Sequence, residues 1–360
     1  GAVTGLPAVT VAAMVGRQLP IFALLLPFYV IAMYGGWRSV RSLWPVLLVA
    51  GATFAGAQFL ASNYIDYTLA DVLSSLLSLV ATLLFVRVWQ PKTDPAFAIT
   101  QADSRAAPGA TSIPAWQGWV PWLVLTAVVI AWSFFGIAAK GQQGIAWPGL
   151  HNVIAITLYH DKPYAAIWSF QPLATGTAVL LACVIVSALF RISPRQFLAC
   201  VALTFRQIWL AVITVVLIVA LAYLMNYSGL AYTLGKGAAS TRYLFILLSP
   251  FLGWIAVVLS GSDTAGNALF GNLQVVAAQQ LNLNPVLFAA TNSSGGVMGK
   301  MISPQNIATG AAVTQLQGQE GAIFARTFIH SIILTLLLVA LVVIQQFVLP
   351  GMIPHAVAGP

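Results

Sequence analysis

Ser260-Gly261-Ser262-Asp263-Thr264-Ala265-Gly266-Asn267 and Asn292-Ser293-Ser294-Gly295-Gly296 interrupt an otherwise apolar stretch, Tyr243 to Val313, and their reading decides the fold. Tyr243–Leu259 is apolar, and an amphipathic run with Asn272, Gln274, Gln279 and Gln280 follows the first interruption to Leu281. Pro285–Thr291 is a second apolar piece, too short to span a bilayer. After the second interruption come Lys300, then Ser303-Pro304-Gln305-Asn306, and a weakly apolar piece to Val313. Glycine pairs and a proline at membrane depth leave backbone N–H and C=O groups without helical partners. In hydrocarbon each costs several kcal/mol, so such backbone survives only inside protein or around a wet cavity. Short hydrophobic segments interrupted by Gly and Pro point to the binding site of a secondary transporter. The first interruption reads as the tip of a re-entrant hairpin, the second as a discontinuous helix.

The rest of the chain supplies the bilayer this argument needs. Of 360 residues, 60% are hydrophobic and 6% charged, against about 25% charged in a soluble domain. The net charge of +8 does not mark a nucleic-acid binder, because the basic residues form no patch on one face. They stand singly or in pairs between apolar runs, as topology signals do. Cys183 and Cys200 make no CxxC motif and no disulfide framework. The chain opens at Gly1 without a signal peptide, like a cut edge.

A helical span needs roughly 20 apolar residues. Leu19–Gly36, Trp44–Ser62, Leu69–Phe85, Val120–Ala139, Leu173–Phe190, Ile208–Met225 and Phe328–Val348 come close, so about seven full spans are expected in an all-α polytopic membrane protein. Trp37, Trp44, Trp89, Trp119, Trp122 and Trp209 lie near their ends, where aromatic rings favour the interface. Nine Lys/Arg, from Arg38 to Arg326, fall on one side and five on the other, which assigns the nine to the cytoplasm. Residues 90–118, with Pro91, Pro95, Pro108 and Pro114, read as a cytoplasmic linker. Residues 140–172 read as a longer external segment with room for interfacial helix, and 243–315 as the substrate-site half of a single transmembrane domain.

Ser260-Gly-Ser-Asp-Thr264, Asn267-Ala-Leu-Phe270 and Asn292-Ser-Ser-Gly-Gly-Val-Met-Gly-Lys-Met-Ile-Ser-Pro-Gln-Asn306 resemble signature segments of the L-lactate permease family. Val15-Gly-Arg-Gln-Leu-Pro20, Asp71-Val-Leu-Ser-Ser-Leu76 and Asn226-Tyr-Ser-Gly229 support the resemblance, which runs in order along essentially the whole chain. It implies carriage of lactate, and in some members glycolate, with protons across a bacterial inner membrane, by an ion-transporter-like architecture of two inverted repeats. Members similar to this chain begin with a further amino-terminal portion carrying its own broken segment. The resemblance therefore implies that the missing portion supplies part of the site. No cofactor, metal or nucleic-acid partner is expected.

Asp263 is the sole acidic residue from Tyr243 to Gly318. A carboxylate at membrane depth costs about 2.5–3.5 kcal/mol on insertion scales, so it faces a cavity or a partner. It is the expected proton-coupling group, with a helix cap beside Thr264 and Asn267 as the plainer reading. Asp71, at a span end, reads as an interfacial cap. Lys300 reads as countercharge for lactate, or for Asp263 in the empty state, against a Lys snorkelling to the interface. Asn292, Ser293, Ser294, Gly295 and Gly296 offer N–H groups and hydroxyls to an anion if a half-helix begins there. The alternative is a packing seam, since Gly295 and Gly299 fit a small-xxx-small contact. Ser262, Thr264, Asn267, Ser303, Gln305 and Asn306 complete the expected substrate set. Arg206 reads as a positive-inside anchor and His330 as a packing histidine. His151, His160 and Asp161 lack metal-ligand spacing, and no enzyme motif is present. Sodium coupling, with unwound carbonyls near Gly295 as ligands, and a non-transporting sensor or receptor subunit remain the alternatives.

Overall fold

The computed structural model describes residues 3–91, 114–159, 161–314, 316 and 318–354. Most of the expected linker 90–118, and His160, lie outside the described residues. Helices α1 (Ala8–Leu60), α2 (Ala70–Val88), α3 (Ala115–Phe134) and α4 (Ile137–Lys140) come first. Strands β1 (Gln143–Ala146), β2 (Ala155–Ile156), β3 (Lys162–Pro163) and β4 (Ile167–Phe170) follow. Helices α5 (Thr175–Leu189), α6 (Pro194–Tyr227), α7 (Leu230–Ala239), α8 (Leu244–Ser260) and α9 (Asp263–Gln280) come next. The order ends with α10 (Pro285–Lys300), α11 (Pro304–Val313) and α12 (Glu320–Phe347). The chain divides into two compact units, one of residues 1–19, 152–164 and 206–360, the other of residues 20–151 and 165–205.

In the second unit, the part of α1 from Pro20 onward is a hairpin rather than a rod. Gly36 adopts φ 69, ψ −178, a region essentially confined to glycine. A straight helix would separate Leu24 from Gly51 by roughly 40 Å, at about 1.5 Å per residue. Instead a Cβ on Gly51 would lie 2.6 Å from the Leu24 carbonyl oxygen, so the two arms run antiparallel in backbone contact. Ser78 of α2 donates to the Ala50 carbonyl on the return arm at 2.9 Å. Leu69, Val129 and Ala178 form a small core between α3 and its neighbours. The Trp132 indole, donating to Leu173 O at 2.9 Å, ties α3 to the chain just before α5. Asp66 caps the turn ahead of α2 through Thr68 N at 2.9 Å. Asp71 is exposed in the first turn of α2, where a negative charge suits the helix dipole.

Among the described residues four helices are long and apolar enough to cross a membrane: Ala8–Ile65, Tyr67–Val88, Trp116–Phe134 and Glu320–Phe347. Pro194–Leu210 with Val212–Tyr227 makes a fifth if counted as one broken span. The turn at Gly36 divides the first of these into the two arms that the sequence separates. Helix α5 is shorter than the span expected at Leu173–Phe190. Its 15 residues reach about 22 Å, short of a hydrocarbon core of about 30 Å. Large apolar side chains such as Leu83, Leu123, Leu217 and Leu337 lie exposed. A soluble protein would bury such a surface, whereas lipid accepts it.

Two corrections concern the local structure. The fold is mostly helical but not all-α, because residues 140–172 form two short antiparallel ladders, β1 with β4 and β2 with β3, in place of interfacial helix. The second interruption is not a discontinuity either. Asn284 caps α10 by accepting from Val286 N at 2.9 Å and Leu287 N at 3.3 Å, with Pro285 in the first turn. The helix then runs unbroken through Asn292–Gly296 to Lys300 and stops at residues 301–303. There Ser303 caps α11, again with a proline in the first turn.

The first unit holds the deepest packing, around α8, α9, α10 and α12. Phe245, Phe288, Leu287, Val276 and Leu338 are all but fully buried, and the Phe245 and Phe288 rings sit 5.2 Å apart. Glycine explains how α10 stays helical. A Cβ on Gly253 would run into the Asn292 backbone, one on Gly295 into Pro250, and one on Gly299 into Trp254. Helices α8 and α10 therefore meet backbone to backbone. In lipid, where apolar burial drives little association, such small-residue contacts and buried hydrogen bonds hold helices together. That packing outweighs the ~1 kcal/mol by which each glycine disfavours helix.

Candidate functional site

The first interruption is the tight turn between α8 and α9. Gly261, at φ 67, ends α8 in the left-handed conformation, and Ser262 caps α9 by accepting from Ala265 N at 3.3 Å. Ser262 therefore does the capping and leaves the neighbouring carboxylate, Asp263, for other contacts. Asp263 Oδ2 accepts from Ser293 Oγ of α10 at 2.9 Å and from Asn267 Nδ2, one turn along α9, at 3.1 Å. Asp263 Oδ1 is buried and has no hydrogen-bond partner among the described residues. It rests against Gly296, where any Cβ would collide with it. Glycine at 296 thus opens the slot that admits the carboxylate to the α10 backbone.

Asn292 joins the two interruptions. Its Nδ2 donates to Asn267 Oδ1 at 2.9 Å and to the Gly266 carbonyl at 3.3 Å, while its Oδ1 accepts from Gln274 Nε2 at 3.3 Å. Gln274 also donates to Ser249 O at 2.8 Å and accepts from Ser249 Oγ at 2.7 Å. On another face of α10, Ser294 Oγ donates to Gln18 Oε1 at 2.7 Å. Gln18 Nε2 donates to Thr291 Oγ1 and to Gln345 Oε1, each at 3.2 Å. Gln18, Gln274, Ser294 and Gln345 are fully buried and Asn292 is 1% exposed. Buried polar side chains this numerous need full pairing, because each orphan costs about 1–3 kcal/mol. The unpaired oxygen of Asp263 stands out against that background.

The expected residues therefore divide. Asp263, Asn267, Asn292 and Ser293 meet in one cluster, and Ser294 faces a second, centred on Gln18. Gly295 serves the α8 seam. Lys300 is exposed at the end of α10. Thr264 is exposed and joins no hydrogen bond of the cluster. Ser303 is buried and caps α11 through Asn306 N at 3.4 Å, with the Asn306 side chain exposed. Gln305 lies over the first turn, its Oε1 2.6 Å from where a Cβ on Gly261 would stand. Because α10 is continuous, no half-helix begins at Asn292, and the carbonyls near Gly295 are part of a helix rather than unwound. Gln18, Ser249, Gln274, Thr291 and Gln345 were not among the expected residues. Their one signal in the sequence is an uncharged polar group inside an apolar run, which at membrane depth needs a partner. Arg206 is exposed in α6, and His330 is half-buried in α12.

The chain is similar to known proteins along nearly its whole length. The model of a family described as L-lactate permease matches residues 1–349. The chain is 38% identical to an L-lactate permease of Escherichia coli K12 over 98% of its own length and 67% of that protein. It is 37% identical to the glycolate permease GlcA of the same organism, over 98% of this chain and 68% of that one. An L-lactate permease of Bacillus subtilis is also 37% identical, over 98% and 68%. Among solved structures, the YdaH transporter of Alcanivorax borkumensis aligns over 94% of this chain and 84% of its own, with TM-score 0.41 and 15% identity.

Proposed function

Since the chain belongs to the L-lactate permease family, an integral membrane transporter family and not an enzyme family, we propose that it carries lactate together with a proton across the bacterial inner membrane. Glycolate, the cargo named for one relative, is the second proposed substrate. Asp263 is the group that takes and releases the proton. One observation carries this reading: among the described residues the carboxylate is held through Oδ2, while Oδ1 is buried without a hydrogen-bond partner. A proton on that carboxyl removes a charge that is costly at membrane depth. Asn267 and Ser293, which hold the Asp263 carboxylate, are the donors and acceptors offered to a 2-hydroxy acid; Asn292 holds Asn267 in place, and Ser294 belongs to the separate Gln18 cluster. The exposed ammonium of Lys300 is the nearby countercharge for the substrate carboxylate. Ser262, Thr264 and Gln305, at the turn between α8 and α9, border the site, while Gly295 packs against α8 and Ser303 with Asn306 starts α11.

In this account the cytoplasm lies on the side of the nine basic residues, and the cluster is exposed alternately to each side of the membrane by movement of the inverted repeats that the family resemblance implies. Lactate uptake by proteoliposomes under an imposed pH gradient, without sodium, tests it. Accumulation that follows the pH gradient is expected. Accumulation that follows a sodium gradient and ignores pH contradicts the proton assignment.

A further inference from the structure

Three side-chain amides, Gln274, Asn292 and Asn267, stand in line between Ser249 of α8 and the Asp263 carboxylate. An amide has an acceptor on one side and a donor on the other, nearly alike in shape, so packing alone does not choose which side faces a neighbour. A backbone carbonyl does choose, because it only accepts. Gln274 Nε2 donates to the Ser249 carbonyl at 2.8 Å while Gln274 Oε1 accepts from the Ser249 hydroxyl at 2.7 Å. Turning this amide over would set its oxygen against that carbonyl.

The next two amides inherit that orientation. Gln274 Nε2 also donates to Asn292 Oδ1 at 3.3 Å, which leaves Asn292 Nδ2 for the opposite side. There it meets a second backbone carbonyl, that of Gly266, at 3.3 Å, and Asn267 Oδ1 at 2.9 Å. Asn267 is thereby turned with its Nδ2 toward Asp263 Oδ2, to which it donates at 3.1 Å. Two carbonyls pin the line, and its donors all point one way, from α8 to the carboxylate. Ser249, Gln274 and Asn292 are buried, so a reversed amide would leave polar groups unpaired where water does not reach them.

The consequence falls on the proton. A proton on Asp263 Oδ2 would meet the Asn267 N–H donor to donor, whereas Oδ1 faces no donor among the described residues. The Ser293 hydroxyl, the other partner of Oδ2, rotates and accepts as readily as it donates; the Asn267 amide, held from behind, does not. We propose that this line of amides has a fixed polarity that keeps Oδ2 an acceptor and seats the transported proton on Oδ1. Asn292 is then a positioning residue that acts through Asn267, and Gln274 is its anchor. Neither touches the proton.

The proposal rests on the reading of Asp263 as proton carrier given above, and its test reads the carboxyl itself. Infrared difference spectra of the purified protein between alkaline and acid pH show a C=O band for each carboxyl that gains a proton. The band lost in Asp263→Asn belongs to this residue. With the proton on Oδ1, the C=O is Oδ2, which accepts two hydrogen bonds, so its stretch lies below that of an unbonded acid. Asn292→Leu frees Asn267 to turn its Oδ1 to the carboxyl. The proton then moves to Oδ2, the C=O becomes the unpaired Oδ1, and the band rises to the unbonded position. Asn292→Ala, which adds no bulk, gives the same shift and serves if the leucine variant does not fold. Gln274→Leu leaves the Gly266 carbonyl to hold Asn292 and raises the band by less. Ser294→Ala cuts a buried bond on the other face of α10 and leaves the band in place, which separates the line of amides from general loosening of that helix. A parent band already at the unbonded position, a band that stays put in the folded Asn292 variants, or one that Ser294→Ala moves as far overturns the proposal. A band unmoved by Gln274→Leu strikes Gln274 from it. A parent without any band assignable to Asp263 overturns the proton-carrier reading itself, and this proposal with it.

Discussion

Gly295→Ala tests the reading that α10 is a continuous helix pressed onto α8. In a solvated or loosely packed helix, replacing glycine by alanine stabilises by about 0.8–1 kcal/mol. At 295 the new Cβ would stand closer to the Pro250 carbonyl than real Cβ atoms come to any neighbour, and the obstacle is backbone, which cannot rotate away. Overpacking of this kind costs about 1–3 kcal/mol, so a net loss of roughly 0–2 kcal/mol is expected. Because Gly299 meets Trp254 in the same seam, the double variant with Gly299→Ala should lose more than either alone. Gly310 provides the control: it lies in α11, and no atom comes within 4 Å of the place its Cβ would take, so Gly310→Ala should gain the full helix term. Thermal unfolding of purified protein in one detergent compares the three. If Gly295→Ala raises the melting temperature as much as Gly310→Ala does, the backbone contact between α8 and α10 is wrong.

Gly36→Ala forces a Cβ into a backbone region essentially reserved for glycine, at a cost of about 1–3 kcal/mol; a melting temperature equal to the parent's would argue against the α1 hairpin. Gln274→Leu deletes the hydrogen bonds to Ser249 and Asn292 and should cost about 1–3 kcal/mol, read as a lower melting temperature; an unchanged value would mean the cluster is not buried as described. Ser293→Ala removes one of the two donors to Asp263, and weaker lactate binding is expected, measured on the purified protein. Affinity equal to the parent's would remove Ser293 from the site.

The sequence carries the helices well where length and hydropathy decide, as in the runs that form α2, α3 and α12. It misleads at Asn292–Gly296. Glycine and serine read as helix breakers because intrinsic propensity describes an isolated helix, whereas here α8 sits where a side chain would otherwise be. The real interruption, residues 301–303, is marked by Ser303-Pro304, a capping pair whose serine the sequence alone places in the substrate set. Residues 140–172 form strand without announcing it, because two- to four-residue ladders are too short to show alternation. For the site, Asp263 and Asn292 are legible as polar groups inside apolar sequence. Gln18 is not, because its partners Thr291, Ser294 and Gln345 lie hundreds of residues away, and only the fold brings them together.

The central claim is that the proton carried with lactate rides on Asp263. Asparagine at that position keeps the shape and can still meet Ser293 and Asn267, but it holds no transferable proton. In proteoliposomes the Asp263→Asn permease should therefore exchange labelled for unlabelled lactate while failing to accumulate it under an inward-directed proton gradient. Accumulation by that variant to the level of the parent protein, driven by the same gradient, would contradict the account.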